Sequence, residues 1–233
     1  MGEHIVKSYD KLLEGLTTKI SEMGGLAEKI LSDSMKALIN LDVQIAQEVI
    51  SLDKRIDVLQ KEIEEMAINT IVRRQPISVD LRECIASMRI AADIERIGDL
   101  AKNIARRTMS ISSENPASIA IIGLKTMQEA ASGQLRSAID AYMEKDIEKA
   151  KEIIQINNRL NALEDSVFRD LLTFMMEDPR NITYCTHLLF CSKNLERIGD
   201  HTKDIAGTII YLVTGEMFIP KSTPATQQSI GLI

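Results

Sequence analysis

From Ile45 the apolar positions run Ile45, Val49, Leu52, Ile56, Leu59, Ile63 and Met66, spaced alternately by four and three residues. An α-helix turns every 3.6 residues, so this spacing lays one apolar seam along a helix, as in a coiled coil. A later stretch continues in steps of three and four through Ile153, Ile156, Leu160, Leu163, Val167, Leu171 and Phe174. Two further seams run through Ile90, Ile94, Ile97, Ala101 and Ile104, and through Leu195, Ile198, Thr202, Ile205 and Ile209. Pro76, Pro116 and Pro179 interrupt the pattern, because proline lacks the N–H that a helix interior needs. Asn40-Leu41-Asp42 and Glu144-Lys145-Asp146 interrupt it without proline, each placing an aspartate where it can cap the next helix. These five breaks predict six helices, near residues 5–40, 42–74, 77–112, 116–144, 146–178 and 181–214. Gly24-Gly25 is predicted to interrupt and bend the first, since two glycines together cost about 2 kcal/mol of helix propensity.

The halves of the chain align with each other. Residues 42–50 (DVQIAQEVI) lie over residues 146–154 (DIEKAKEII) at an offset of 104. The third and sixth helices align at an offset of 101, which sets Cys84 on Cys185, Glu95 on Glu196, Asp99 on Asp200, Asn103 on Asp204 and Ala105 on Ala206. The predicted fold class is therefore all-α: two tandem three-helix bundles related by internal duplication, with six up-down antiparallel helices. The expected divisions are residues 1–113, residues 114–215 and a polar tail at 216–233, which holds Pro220 and Pro224.

Composition supports this class. The chain is 45% hydrophobic but only 3% aromatic, with no tryptophan and 11 methionines, which favours helices packed through aliphatic side chains over strands. A formal charge of −6 supplies no basic face for a nucleic-acid backbone, so nucleic-acid binding is disfavoured. No uninterrupted apolar run approaches the roughly 20 residues that span a bilayer. Glu3, His4 and Lys7 stand where a signal peptide would begin, so a cytoplasmic location is expected. Cys84, Cys185 and Cys191 are odd in number and lack any Cys-x-x-Cys spacing, and so read as small buried hydrophobes.

The charged positions carry the candidate chemistry. Residues four apart on a helix are neighbours on one face, so Glu95, Asp99 and Asn103 form a row of oxygen ligands, and Glu196, Asp200 and Asp204 another. At about 100° per residue both rows point away from their apolar seams and are expected to face outward. The plainest alternative is a solvated face on which Lys102 and Lys203 pair with Asp99 and Asp200. In an antiparallel hairpin turning near Pro76, residues whose numbers sum to about 152 lie level, which pairs Asp53 with Asp99 and Asp57 with Glu95. Four carboxylates would then gather on the outer surface of that hairpin. In the second half the same register sets Asn157 against Asp200 and Asn161 against Glu196, so the register repeats while the charge does not. An all-oxygen ligand set suits hard or borderline divalent or trivalent ions, such as Mg, Ca, Mn, Fe or Zn. His201, which follows Asp200, reads either as an added ligand or as a surface histidine.

These residues match a known pattern. Met23-Gly24-Gly25, then Arg74-Gln75-Pro76 with Asp80-Leu81-Arg82, then LLTFMMEDP at 171–179, and both Glu-Arg-Ile-Gly-Asp segments follow in order over nearly the whole chain. The chain resembles the PhoU family, bacterial regulators that accompany the phosphate-specific transport system. The resemblance implies paired three-helix bundles, a homodimer, and Glu/Asp-x-x-x-Asp motifs that hold metal ions on the bundle surface. By position those motifs are Asp53 with Asp57, Glu95 with Asp99, and Glu196 with Asp200; Asn157 and Asn161 depart from the pattern where acids would stand. It also implies a non-enzymatic negative regulator that links a phosphate-sensing histidine kinase to the transporter's ATPase subunit, and reaches the membrane only through those partners.

Two other readings remain open from the residues themselves. A carboxylate-bridged di-iron enzyme would carry Glu-x-x-His, and His4, His187 and His201 are preceded at that spacing by Met1, Tyr184 and Ile198. A helical adaptor whose acids bind no metal is the second.

Overall fold

The computed structural model describes residues 2–111 and 118–218. Six α-helices occur among them: α1 (Gly2–Asn40), α2 (Val43–Arg74), α3 (Val79–Ile111), α4 (Ser118–Glu144), α5 (Ile147–Glu177) and α6 (Ile182–Thr214). A short 3-10 turn, Pro179–Asn181, leads into α6. The fold class is the one expected. The break at Pro116 and the tail prolines lie outside the described residues.

Local chemistry sets the boundaries. Asp42 Oδ1 accepts from the backbone N–H groups of Gln44 and Ile45 at 2.9 and 3.0 Å, and Asp146 Oδ1 does the same for Glu148 and Lys149 at 2.9 and 3.1 Å. Each cap satisfies N–H groups that the first turn leaves without helical partners, worth about 1 kcal/mol. Leu41 and Lys145 ahead of them turn the chain in left-handed conformations, with φ of 52° and 54°. Gln75, with φ of 48°, ends α2 immediately before Pro76, whose ring disfavours helical geometry in the residue it follows.

The interruption expected at Gly24-Gly25 does not occur, and α1 runs through both as one helix. Packing accounts for Gly24. A Cβ there would lie 2.6 Å from Ile139 Cγ1 of α4, so glycine is what allows α1 and α4 to meet.

α1, α2 and α3 pack on one another, as do α4, α5 and α6, and the two bundles join through α3 against α6 and α1 against α4. α2 and α5 therefore lie on the flanks, each on the helix that carries a Glu-Arg-Ile-Gly-Asp segment. One continuous apolar core extends from Leu16 in α1 to Leu212 in α6. Polar ties cross the joint as well. The buried Tyr142 hydroxyl lies 2.9 Å from Ser87 Oγ, Lys145 Nζ donates to the buried Glu83 at 2.7 Å, and Arg82 Nε donates to the Leu212 carbonyl at 3.1 Å. Cys84, Cys185 and Cys191 are free and buried, as expected; burial pushes the Cys84 thiol up to about 11 and the Cys191 thiol up to about 12. No described helix is long and apolar enough to cross a membrane.

Gly24 and Gly25 form a matched pair. Gly24→Ala should lower stability by about 1–2 kcal/mol, because Ile139 must move to admit the methyl group. Gly25→Ala, where an added Cβ meets nothing within 4 Å, should raise it by about 0.5–1 kcal/mol. Urea denaturation of the two variants reads the opposite signs.

Candidate functional site

The register expected for the α2–α3 hairpin is realised, and its depth is not. A Cβ on Gly98 would lie 2.8 Å from Ile56 Cδ1 and 3.2 Å from Asp53 Oδ1, so α2 sits close against α3. That contact buries Asp53, whose side chain is 4% exposed. The acids of this hairpin thus do not all face outward. The buried stripe of α2 runs Ala46, Val49, Asp53, Ile56, Leu59 and Ile63, and Leu52 is only partly buried beside it. Both Val49-Leu52-Ile56 and Val49-Asp53-Ile56 satisfy helical spacing, and the close contact at Gly98 selects the second.

A buried carboxylate needs a partner, and Lys102 supplies it. Its Nζ donates to Asp53 at 2.5 Å and also to Asp99. Burial acts to lower the Lys102 pKa, but the hydrogen bonds to the two carboxylates outweigh it and raise it above its ordinary value. Burial pushes Asp53 up against the opposing pull of Lys102, and pushes Glu95 up with the help of Asp99. Arg96 lies 3.6 Å from Glu95 and 3.7 Å from Asp99. Asn103, partly buried, accepts from Arg106 at 3.3 Å, and Asp57 is partly buried on α2. The first seam thus holds a protein cation between two of its carboxylates.

The second seam keeps the backbone arrangement and changes the chemistry. A Cβ on Gly199 would lie 2.4 Å from Leu160 Cδ2 and 2.6 Å from Asn157 Oδ1. Asn157 is buried like Asp53 and donates from Nδ2 to Asp200 Oδ1 at 2.9 Å, which realises the expected pairing. Its own Oδ1 has no hydrogen-bond partner, and neither amide atom of buried Gln134 on α4 has one. Glu196 lies 2.8 Å from Lys193, and Asn161 is exposed on α5. Gln134 was not anticipated. Its signal is a polar residue on the apolar stripe of Met127, Ala131 and Ala138.

The expected row of Glu196, Asp200 and Asp204 divides. Asp200 turns to Asn157, whereas Asp204 turns toward α3, where ligand atoms of Asp93, His201 and Asp204 all lie within 4.8 Å of one another. His201 Nδ1 is 3.1 Å from Asp93 Oδ1. Burial pushes the Asp204 carboxyl up, and Asp93 adds to the effect while His201 and Lys203 oppose it. Among the described residues no other three His, Cys, Asp or Glu side chains converge this closely. Asp93 escaped the sequence because the contact that uses it joins helices from different bundles.

Tandem three-helix bundles with paired polar seams on their third helices define a duplicated helical scaffold, and the comparisons agree. Residues 20–108 and 124–209 match the PhoU domain. The chain is 50% identical over 212 residues to the "Phosphate-specific transport system accessory protein PhoU homolog" of Rhizobium meliloti (strain 1021), covering 91% of this chain and 90% of the relative. A relative of the same description in Caulobacter vibrioides (strain NA1000 / CB15N) is 42% identical over 216 residues, with 93% and 94% covered. The crystal structure of PhoU from Pseudomonas aeruginosa matches with a TM-score of 0.85 at 33% identity, over 89% of this chain and 100% of that one. That of the phosphate transport system regulatory protein PhoU from Streptococcus pneumoniae matches with a TM-score of 0.84 at 25% identity, over 91% and 99%. The chain belongs to the PhoU family.

Lys102→Met should leave Asp53 buried without its cation and cost about 3 kcal/mol, as removal of one member of a buried pair does. Adding Asp53→Asn to that variant should recover most of the loss. Chemical denaturation at neutral pH of the single and double variants measures both.

Proposed function

We propose that this chain is an accessory protein of phosphate-specific transport and a negative regulator of phosphate uptake and of the phosphate-starvation response. In this reading it acts in the cytoplasm as a homodimeric, metal-binding adaptor between the transporter's ATPase subunit and a phosphate-sensing histidine kinase. The observation that carries it is the match, over nine-tenths of both chains, to a relative named for that transport system. Relatives named as accessory proteins fit a role in binding and not in catalysis. The joined core supports it physically, since a rigid pair of bundles presents fixed surfaces to two partners.

The metal part of the reading rests on the seams. In the first, Asp53 and Asp99 hold Lys102, and Asp57, Glu95 and Asn103 add oxygens on the same pair of helices, so a cation taking up Asp53 and Asp99 must displace the ammonium. In the second, Asp200 meets the buried Asn157, whose oxygen, like that of Gln134, has no partner, and Glu196 and Asn161 lie on the same pair of helices; here a cation finds free buried acceptors, and the lysine nearby, Lys193, pairs with Glu196 and not with Asn157. Unpartnered buried oxygens fit a hard cation, which would give the amide oxygens of Asn157 and Gln134 the partner they lack. Asp204, facing α3, stands apart from both.

Deletion of the gene should derepress phosphate-starvation genes in phosphate-rich medium, and unchanged expression would remove the regulatory role. Pull-down against the ATPase subunit and the kinase, at high and low phosphate and with and without chelator, tests the adaptor role. Metal analysis of the purified protein beside Asp99→Ala and Asp200→Ala tests the seams. Each variant should lose bound metal, and a metal-free wild type would leave a metal-independent adaptor.

A further inference from the structure

α3 and α6 meet along the joint between the bundles, and duplication gives that joint two equivalent places. At one stand Asp93 from α3 with His201 and Asp204 from α6. At the offset of 101, the other holds Asn194 from α6 with Leu100 and Asn103 from α3. The scaffold is therefore satisfied by an apolar and two neutral residues at this position. The trio of two carboxylates and an imidazole is particular to one side.

We propose that Asp93, His201 and Asp204 form a cation site for a borderline divalent transition metal, such as Zn, Co or Mn, which fastens the two bundles together across the joint. The geometry is close to what such an ion requires. With metal–ligand bonds of about 2.1 Å, ligand atoms around one ion stand roughly 3 to 4 Å apart. The three ligand atoms here lie within 4.8 Å of one another, and His201 Nδ1 and Asp93 Oδ1 are already 3.1 Å apart. Small side-chain rotations bring all three onto one centre.

The residue types select the ion. One imidazole with two carboxylates favours transition metals over Mg or Ca, which prefer oxygen alone. Without an ion, two like charges are held together and His201 Nδ1 is already engaged with Asp93. A divalent ion balances both carboxylates. Asp204 is exposed and also lines a cleft of about 220 Å³ with Arg89, Lys203, Tyr211 and Phe218, so solvent reaches this member of the trio. Arg89 is held over the Tyr211 ring at 5.2 Å, where it engages the aromatic face.

The site is separate from the two seams and does not rest on their binding metal. The test uses the full chain, stripped by chelation and titrated with Co(II). Wild type should develop a visible absorption band of imidazole-ligated cobalt, and the paramagnetic ion should broaden the His201 ring signal in the NMR spectrum and spare that of His187. His201→Gln should lose the band, and Asp93→Asn and Asp204→Asn should each weaken binding at least tenfold, with helicity by circular dichroism unchanged. Asp99→Ala and Asp200→Ala should retain the band, which separates this site from the seams. Mg at a hundredfold excess should not compete. A wild type without the band, or a His201→Gln protein that keeps both band and affinity, would overturn the proposal. Should the Gln variant lose helicity, the two Asn variants decide the matter by the same measurement.

Discussion

Gly98 and Gly199 let α2 and α5 press onto α3 and α6 so closely that a single added carbon would collide with Ile56 or Leu160. Much of the molecule's polar chemistry follows from that approach. A helix seated this deeply turns inward the residue that follows a seam position, and in both halves that residue is polar: Asp53 after the partly buried Leu52 in α2, and Asn157 after the exposed Ile156 in α5. The residue after each glycine, Asp99 or Asp200, then lies level with the buried one. The Glu-Arg-Ile-Gly-Asp segment thus works as a unit, its glycine setting the depth of contact and its aspartate meeting what that depth buries.

The helices, their caps and the pairing of Asn157 with Asp200 were legible in the sequence, because each follows from local spacing or from the arithmetic of an antiparallel hairpin. Depth was not. Whether Leu52 or Asp53 faces inward turns on about 100° of helix rotation, and both choices satisfy the seam. Gly98 decides it through a neighbour in another helix. Gly24 is the same lesson reversed: read locally, two glycines break a helix, whereas in the fold Gly24 makes room for Ile139 from the other bundle. Every feature that escaped, including Asp93 beside His201 and the orphaned amide of Gln134, belongs to contacts between helices whose register no single segment encodes.

Duplication has preserved the scaffold while its electrostatics diverged. Caps, left-handed turns and glycine contacts recur at fixed offsets, since each is required for the helices to meet at all. The buried polar position is freer. Where it is Asp53, burial is tolerable only because Lys102 reaches both that carboxylate and Asp99. Where it is Asn157, no charge has to be neutralised, and the amide itself donates to Asp200. Lys203, the counterpart of Lys102, is released from that duty and lies near Asp204.

That release bears on how the two halves meet. In the first half the buried ion pair of Lys102 with Asp53 ties α2 to α3 within one bundle. In the second, the charges of α6 are turned partly outward across the joint, where His201 and Asp204 meet Asp93 of the opposite bundle. The polar contacts of the first seam therefore stay within its own hairpin, whereas those of α6 also belong to the contact between bundles. A scaffold built from two equivalent units gains its asymmetry here: one unit holds its polar seam closed on itself, and the other directs its charge at its neighbour.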